Sequence, residues 1–262
     1  MLKFQHASRA TQGARPYQED ASAVWPGPDF VAPSNAAAPP EGTALVAVLA
    51  DGMGGHAGGA LASSTICSTF LASFAGTHGD GRARLKPCLA AANDAIGDKV
   101  SDNPQLAGMG ATLVGVTIGD AGLSWISVGD SPMYLFRAGE LVQLNEDHSL
   151  APVIDHLVEQ GRMSPEEARA DPRRHYLRSA VTGDEIELVD APERPLELAP
   201  GDIVVIASDG LHTLEPEAVR DIIASHASNG AAAIADALIQ GVTDANEPHQ
   251  DNTTVVVVIV DE

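Results

Sequence analysis

Between Gly110 and Gln143 the chain runs through four short apolar segments, ATLVGVTI, LSWISV, PMYLF and LVQL, broken by the turns GDAG and RAGE. Links this short cannot carry a strand round to lie parallel to its predecessor, so neighbouring runs must pair antiparallel. The spacing predicts a meander. Further strands are expected at 44–50, 186–189 and 203–207 and in the closing run VVVVIV. Helical periodicity comes in pairs. Ala62, Ile66, Phe70 and Phe74 form one apolar stripe, and Leu85, Leu89, Ala92, Ile96 and Val100 form a second that ends before Pro104. Another pair is expected near 215–226 and 230–241. Antiparallel strands interrupted by helix pairs point to an α+β fold, not a parallel doubly wound sheet.

Residues 26–42, rich in Pro, Ala and Gly, read as a surface loop, and residues 145–180 as a compact polar, helical insertion. Within the insertion, Ser164, Pro165, Glu166 and Glu167 carry a helix-start signature. A length of 262 residues suits one domain of moderate size. The excess of 36 acidic over 15 basic residues, a net charge of −21, disfavours nucleic acid and anionic lipid and favours divalent cations. No membrane partner is expected, because the uninterrupted apolar runs reach about eight residues and a spanning helix needs about 20. Cys67 and Cys88 fit neither a zinc motif nor a disulfide framework, and a reducing cytoplasm is the expected compartment.

The chemistry lies where strands stop. Asp51 follows ALVAVLA and opens the glycine-rich GMGGHAGGA; Asp130 ends SVGD; Asp209 ends IVVIASD; Asp251 precedes the last strand. In antiparallel neighbours the end of one strand lies beside the start of the next, so Asp51, Asp209 and Asp251 are expected on one sheet edge. Clustered carboxylates repel one another unless a cation joins them, and hard oxygen ligands suit Mg²⁺ or Mn²⁺. With Asp51 shared, two cations about 3.5–4 Å apart would activate a water for attack on phosphorus. Gly52 would let a carbonyl approach an ion closely. A single Asp-Gly pair after a strand is most often only a turn. Gly52, Gly54 and Ala57 also satisfy a dinucleotide fingerprint, but a second helix follows where that motif requires a strand.

In order along the chain, RPYQED, LADGMGGHAGG, MGATLVGVTI, ISVGDSPMYLF, LNEDHS, ASDGL and DNTTVVVV resemble the metal-dependent Ser/Thr protein phosphatases of type 2C, particularly bacterial members. The resemblance runs from about residue 8 to residue 260. It implies a four-layer αββα sandwich of two antiparallel sheets flanked by helix pairs, in one catalytic domain over 1–262 with a flap at about 146–180. The implied activity is hydrolysis of phosphoserine and phosphothreonine in proteins.

By the same resemblance, Asp51 bridges two Mn²⁺ or Mg²⁺ ions, the Gly52 carbonyl binds one, and Asp209 with Asp251 binds the other. Glu19 and Asp20 hold metal-bound waters, Asp130 with Asp209 supports a third, weaker ion, and Arg15 grips the substrate phosphate. Read without the resemblance, Arg15 is equally a surface charge, and Glu19 with Asp20 an acidic turn. The implied partners are phosphorylated proteins, among them a Ser/Thr kinase or its substrates, and a monomer is expected. Gln18 replaces the usual Asn, and Pro132 a frequent Arg. Met53 stands where eukaryotic members carry a His proposed as general acid, so the leaving oxygen must be protonated by another group. His56 and His148 read as structural. The rival reading is a catalytically weak pseudophosphatase that binds phosphoproteins.

Overall fold

The computed structural model describes residues 3–26, 43–54 and 57–261. All of the expected 26–42 loop except Pro26 lies outside them, as does His56. Two main antiparallel sheets form. One has the order β1, β11, β10, β8, β9, built from β1 (Lys3–Thr11), β8 (Met133–Arg137), β9 (Glu140–Gln143), β10 (Ile203–Ala207) and β11 (Thr253–Asp261). The other has the order β2, β3, β6, β7, built from β2 (Ala21–Trp25), β3 (Thr43–Ala50), β6 (Leu113–Gly119) and β7 (Gly122–Val128). A two-residue ladder joins β4 (Gly52–Met53) to β5 (Gly110–Ala111).

Side chains that alternate across a strand require cover on both faces when both are apolar. In β3, Leu45, Ala47 and Leu49 meet Val204, Ile206, Val256 and Val258 of the opposite sheet, forming the central core. Val46, Val48 and Ala50 face the other way, against α1 (Ala57–Gly76) and α2 (Gly81–Asp102). The first sheet repeats this arrangement: Val205, Ala207, Val255 and Val257 pack under α5 (Pro216–His226) and α6 (Ala231–Asp244). The result is the expected αββα sandwich. Gly115 lets α1 settle close, because a Cβ there would fall 2.3 Å from the ring of Phe70.

Three sequence expectations need correction. The meander does not stay in one sheet: β7 and β8 belong to different sheets, and the chain crosses between them at Gly129–Pro132. Gly129 makes the crossing at φ +102°, a conformation available mainly to glycine. No strand forms at 186–189. There the Ser179 hydroxyl donates to the Leu188 carbonyl (2.9 Å) and accepts from its N–H (3.1 Å), occupying the groups a ladder would use, and the segment touches β7 through isolated bridges such as Ser127 to Asp190. Finally, one helix is long and apolar enough by composition to cross a membrane, Gly58–Gly76 within α1. Ser, Thr and Gly break its apolar runs in the sequence, and in the fold its Ile66, Phe70, Leu71 and Phe74 are fully buried in the core.

The 145–180 segment forms α3 (Ala151–Glu159), α4 (Pro165–Ala170) and a 3₁₀ turn, Pro172–His175. At α4 the predicted start is present: the Ser164 hydroxyl accepts from the Glu167 N–H, and the Glu167 carboxylate accepts from the Ser164 N–H.

Candidate metal centre

Strand register gathers the acids. Ala21 pairs with Ala50, so Asp20, just before β2, and Asp51, just after β3, leave the second sheet at the same end. Ala207 pairs with Val255, and Thr11 with Thr253, which brings Asp209, Asp251 and the 12–19 loop to one end of the first sheet. Asp51, Asp209 and Asp251 therefore do not share an edge. They meet across the gap between two sheets, because β3 lies in one while β10 and β11 lie in the other. The crossing segment between the sheets delivers Asp130 to the same place.

Polar side chains fix these strand ends. Thr112 accepts from the Asp51 N–H through its hydroxyl (3.0 Å) and donates its own N–H to the Asp51 carbonyl (2.9 Å). Its hydroxyl also meets that of Ser131 at 2.7 Å, tying Asp51 to the loop that holds Asp130. His148, 2% exposed, accepts from the Gly129 N–H through Nδ1 and donates its backbone N–H to the Gly129 carbonyl, a structural role. Ser208 donates to Asp20 (2.7 Å). Asn252 accepts from the Glu19 N–H (2.7 Å) and donates to the carbonyls of Gln12 (2.8 Å) and Tyr17 (3.0 Å), clamping the loop that carries Arg15 and Glu19. Gln18 accepts from the Asp20 N–H (3.1 Å).

The glycines allow a close approach of backbones. A Cβ on Gly52 would lie 2.3 Å from the Gly59 carbonyl oxygen and 2.4 Å from that of Glu19, and one on Gly59 would lie 2.6 Å from Glu19 Oε1. The Gly52 N–H donates to the Glu19 carbonyl at 3.2 Å, so only bare backbone fits where α1, the Glu19 loop and the end of β3 meet.

The electrostatics are those of charges held against their preference. Burial is the main cause that pushes all four of Asp20, Asp51, Asp130 and Asp209 above the ordinary carboxyl range, and repulsion from neighbouring carboxylates, Asp251 and Asp147 included, adds to it. Asp20 rises to about 6 and Asp130 to about 8. Glu19 Oε1, Asp20 Oδ1 and Asp209 Oδ1 are buried without a hydrogen-bond partner. Such orphaned oxygens are costly unless something electropositive reaches them. Among the described residues, no three or more His, Cys, Asp or Glu side chains are already drawn together around one point as metal ligands. Asp51 and Asp209 lie close enough to share a side-chain hydrogen bond, and the Arg15 guanidinium holds Asp251 in an ion pair. Hard oxygens, three of them unsatisfied, fit a divalent cation that would draw them in.

These groups border a cavity of about 810 Å³ whose walls include Arg15, Glu19, Asp51, Gly52, Asp130 and Asp209. The flap from His175 to Ala180, together with Thr182, Glu185 and Glu187, lines it as well. Sequence reasoning missed Thr112, Ser131, Ser208 and Asn252, although each lies within or next to a motif that was recognised. It also missed His175, whose place at the cavity depends wholly on how the flap folds back.

The fold and this cluster define an oxygen-donor site suited to a divalent cation, at the meeting edge of two antiparallel sheets. The chain belongs to the protein phosphatase 2C family, whose model matches residues 34–241. It is 36% identical over 217 residues to the serine/threonine protein phosphatase PstP of Mycobacterium tuberculosis, a match covering 82% of this chain and 40% of that protein. The chain thus corresponds to well under half the length of that relative. To the protein phosphatase PhpP of Streptococcus pneumoniae it is 32% identical over 184 residues, 68% of this chain and 72% of that one. The fold matches a crystal structure of the catalytic domain of PstP in complex with two manganese ions, with a TM-score of 0.77, 31% identity and 100% of both chains covered.

Proposed function

We propose that this chain removes phosphate from phosphoserine and phosphothreonine in proteins by direct attack of water at a centre of two Mn²⁺ or Mg²⁺ ions. The observation that carries the reading is the set of carboxylates from two sheets, with unsatisfied buried oxygens on Glu19, Asp20 and Asp209, at a cavity that Arg15, Glu19, Asp51, Asp130 and Asp209 line together. When bound, the ions supply an activated water and neutralise the charge that builds on the phosphoryl group. Asp51, shared, would hold both ions, with the Gly52 carbonyl completing one and Asp209 with Asp251 the other. Glu19 and Asp20 would support them from beside the site, and Asp130 with Asp209 would hold a third ion.

Arg15 has the fixed fork of donors that suits a phosphate dianion. Its guanidinium is half exposed and engages Asp251 through one nitrogen, so its other N–H groups are available to a phosphate. Its pairing with Asp251 supports a phosphate site beside that carboxylate. Phosphorylated proteins are the substrates in this reading, with a Ser/Thr kinase as the opposing partner, in the cytoplasm.

The test is release of phosphate from a phosphothreonine peptide with Mn²⁺, with and without chelator, by the wild type and by Asp209→Asn. The reading expects turnover that chelator abolishes and that the substitution lowers by at least about 100-fold. Activity that survives chelation would sink it. Tight Mn²⁺ binding with no hydrolysis of any phosphopeptide would replace it with a phosphoprotein-binding module.

A further inference from the structure

The cavity wall lacks an obvious source for one proton. When the phosphorus–oxygen bond breaks, the electron pair stays on a serine or threonine oxygen, a poor leaving group unless it is protonated as it departs. Met53 lines the cavity but carries no proton to give. The guanidinium groups of Arg15 and Arg178, also in the wall, hold their protons too tightly. The buried carboxylates are engaged as ligands in the reading above.

Of the other ionisable lining residues, Glu185, Glu187, Tyr176 and His175, the imidazole is the kind of side chain that ordinarily gains and loses a proton near neutral pH. His175 ends the 3₁₀ turn Pro172–His175 on the flap and lines the same cavity as Asp51, Asp130 and Asp209. Both neighbours fix its place. Arg174 grips Asp155 with two hydrogen bonds (2.5 and 3.0 Å), and the Tyr176 carbonyl accepts from the Leu150 N–H (2.9 Å). The bridge from Ser149 to Leu177 and the Arg178 N–H to the His148 carbonyl (2.8 Å) continue the anchorage. The ring itself makes no hydrogen bond or ion pair with the described residues. An exposed, unpartnered imidazole on an anchored backbone is available to a ligand. On the turn that begins at Asp209 stands His212. It feels the charges of Asp209, Asp147 and His175, and His175 also acts on Asp209. The flap histidine therefore lies within electrostatic reach of the phosphoryl site without belonging to it.

We propose that His175 is the general acid, its imidazolium giving a proton to the leaving serine or threonine oxygen. The step rests on the phosphatase reading above. The water oxygen bonds to phosphorus as the phosphorus–oxygen bond to the side chain breaks. The electron pair of that bond goes to the leaving oxygen, which takes the His175 proton. One proton of the attacking water stays on the product phosphate, and the other passes to solvent, from which His175 is recharged. The products are the free hydroxyl and hydrogen phosphate. The charged and titratable groups that share the cavity with His175 are Tyr176 and Arg178 on the flap, Glu185 and Glu187 after it, and Arg15, Glu19, Asp51, Asp130 and Asp209, while His212 interacts with it from the turn after Asp209.

The experiment compares two substrates. An alkyl phosphate, in a phosphothreonine peptide, needs the proton; p-nitrophenyl phosphate does not, since its leaving phenolate is already stable near neutral pH. His175→Gln is expected to lower kcat for the peptide by about 100-fold or more and to remove the alkaline fall of its pH profile, with a far smaller loss on the aryl ester. Imidazole added to His175→Ala should restore peptide turnover. A readout independent of turnover is the His175 ring signal in NMR spectra of the metal-free protein, which must shift when His212 is replaced by Gln. Equal losses on both substrates, an unchanged peptide rate, no rescue by imidazole, or an unmoved His175 signal would each overturn the assignment. A wild type inactive on both substrates would overturn the phosphatase reading, and this inference with it.

Discussion

Asp130 offers a direct measure of how much stability the folded chain gives up to hold its acids together. In the metal-free protein its carboxyl titrates at about 8, against an ordinary 3.8, first because it is buried and then because Asp209 and Asp147 repel it. The folded state thus binds a proton that the unfolded state has already released, so this group's contribution to stability falls as pH rises from 3.8 to about 8. Asn at this position copies the neutral form at every pH. Its own burial cost is independent of pH and drops out of a comparison between two pH values. Each pH unit in that window is worth about 1.4 kcal/mol, so Asp130→Asn should gain roughly 3 kcal/mol on the wild type between about pH 5.5 and pH 8.5.

The assay is thermal unfolding of chelator-treated protein, wild type and Asp130→Asn, at those two pH values. For a domain of this size the gain corresponds to a growth of roughly 6–12 °C in the difference between their midpoints. Saturating Mn²⁺ should shrink that growth, because a cation removes the repulsion that the substitution relieves. A midpoint difference that stays constant from one pH to the other would refute the reasoning, and would mean that Asp130 ionises freely in the folded protein.

The same physics predicts that Mn²⁺ binding near neutral pH releases protons, on the order of one or more per chain, since ligand carboxylates held neutral must ionise; calorimetry in buffers of different ionisation enthalpy would count them, and no release would contradict the raised carboxyls. Asn252→Ala removes three hydrogen bonds from the 12–19 loop and should cost about 2–4 kcal/mol by denaturant unfolding while weakening Mn²⁺ binding. Gly59→Ala places a methyl 2.6 Å from Glu19 Oε1, so Mn²⁺ affinity should fall at least about 10-fold, while the metal-free protein keeps its circular dichroism spectrum. Unaltered affinity in Gly59→Ala would show that Glu19 has no part in holding the ions.

Much of the fold was legible because its signals are local. Helix pairs show in the spacing of Ile66, Phe70 and Phe74 or of Leu85, Leu89 and Ala92, and the start of α4 in four consecutive residues. What failed was long-range. Turns such as GDAG declare a hairpin, but nothing local says that Gly129–Pro132 is a passage between sheets, because that depends on the sheets packing face to face. The strand expected at 186–189 failed for a related reason: its backbone is taken by a single hydroxyl, that of Ser179, nine residues earlier. The acids were found as strand-end residues, while the hydroxyls and amides that hold them look like ordinary polar residues until the fold brings them together.

The corrected origin of the acids bears on how such a site persists. Carboxylates on one edge could relieve their repulsion through small movements of a single sheet. Asp51 and Asp20 instead belong to one sheet, and Asp209 and Asp251 to the other, while Leu45, Ala47 and Leu49 lock against Val204, Val256 and Val258 between them. To separate the acids, the sheets would have to part and expose that core, and each buried side chain of this size resists exposure by roughly 1.5–3 kcal/mol. Packing far from the charges therefore holds them at a separation they would not choose. It follows that a cavity in the central core, such as Leu49→Ala creates, should loosen the acids and lower Asp130 toward the ordinary carboxyl range, although Leu49 touches no ion.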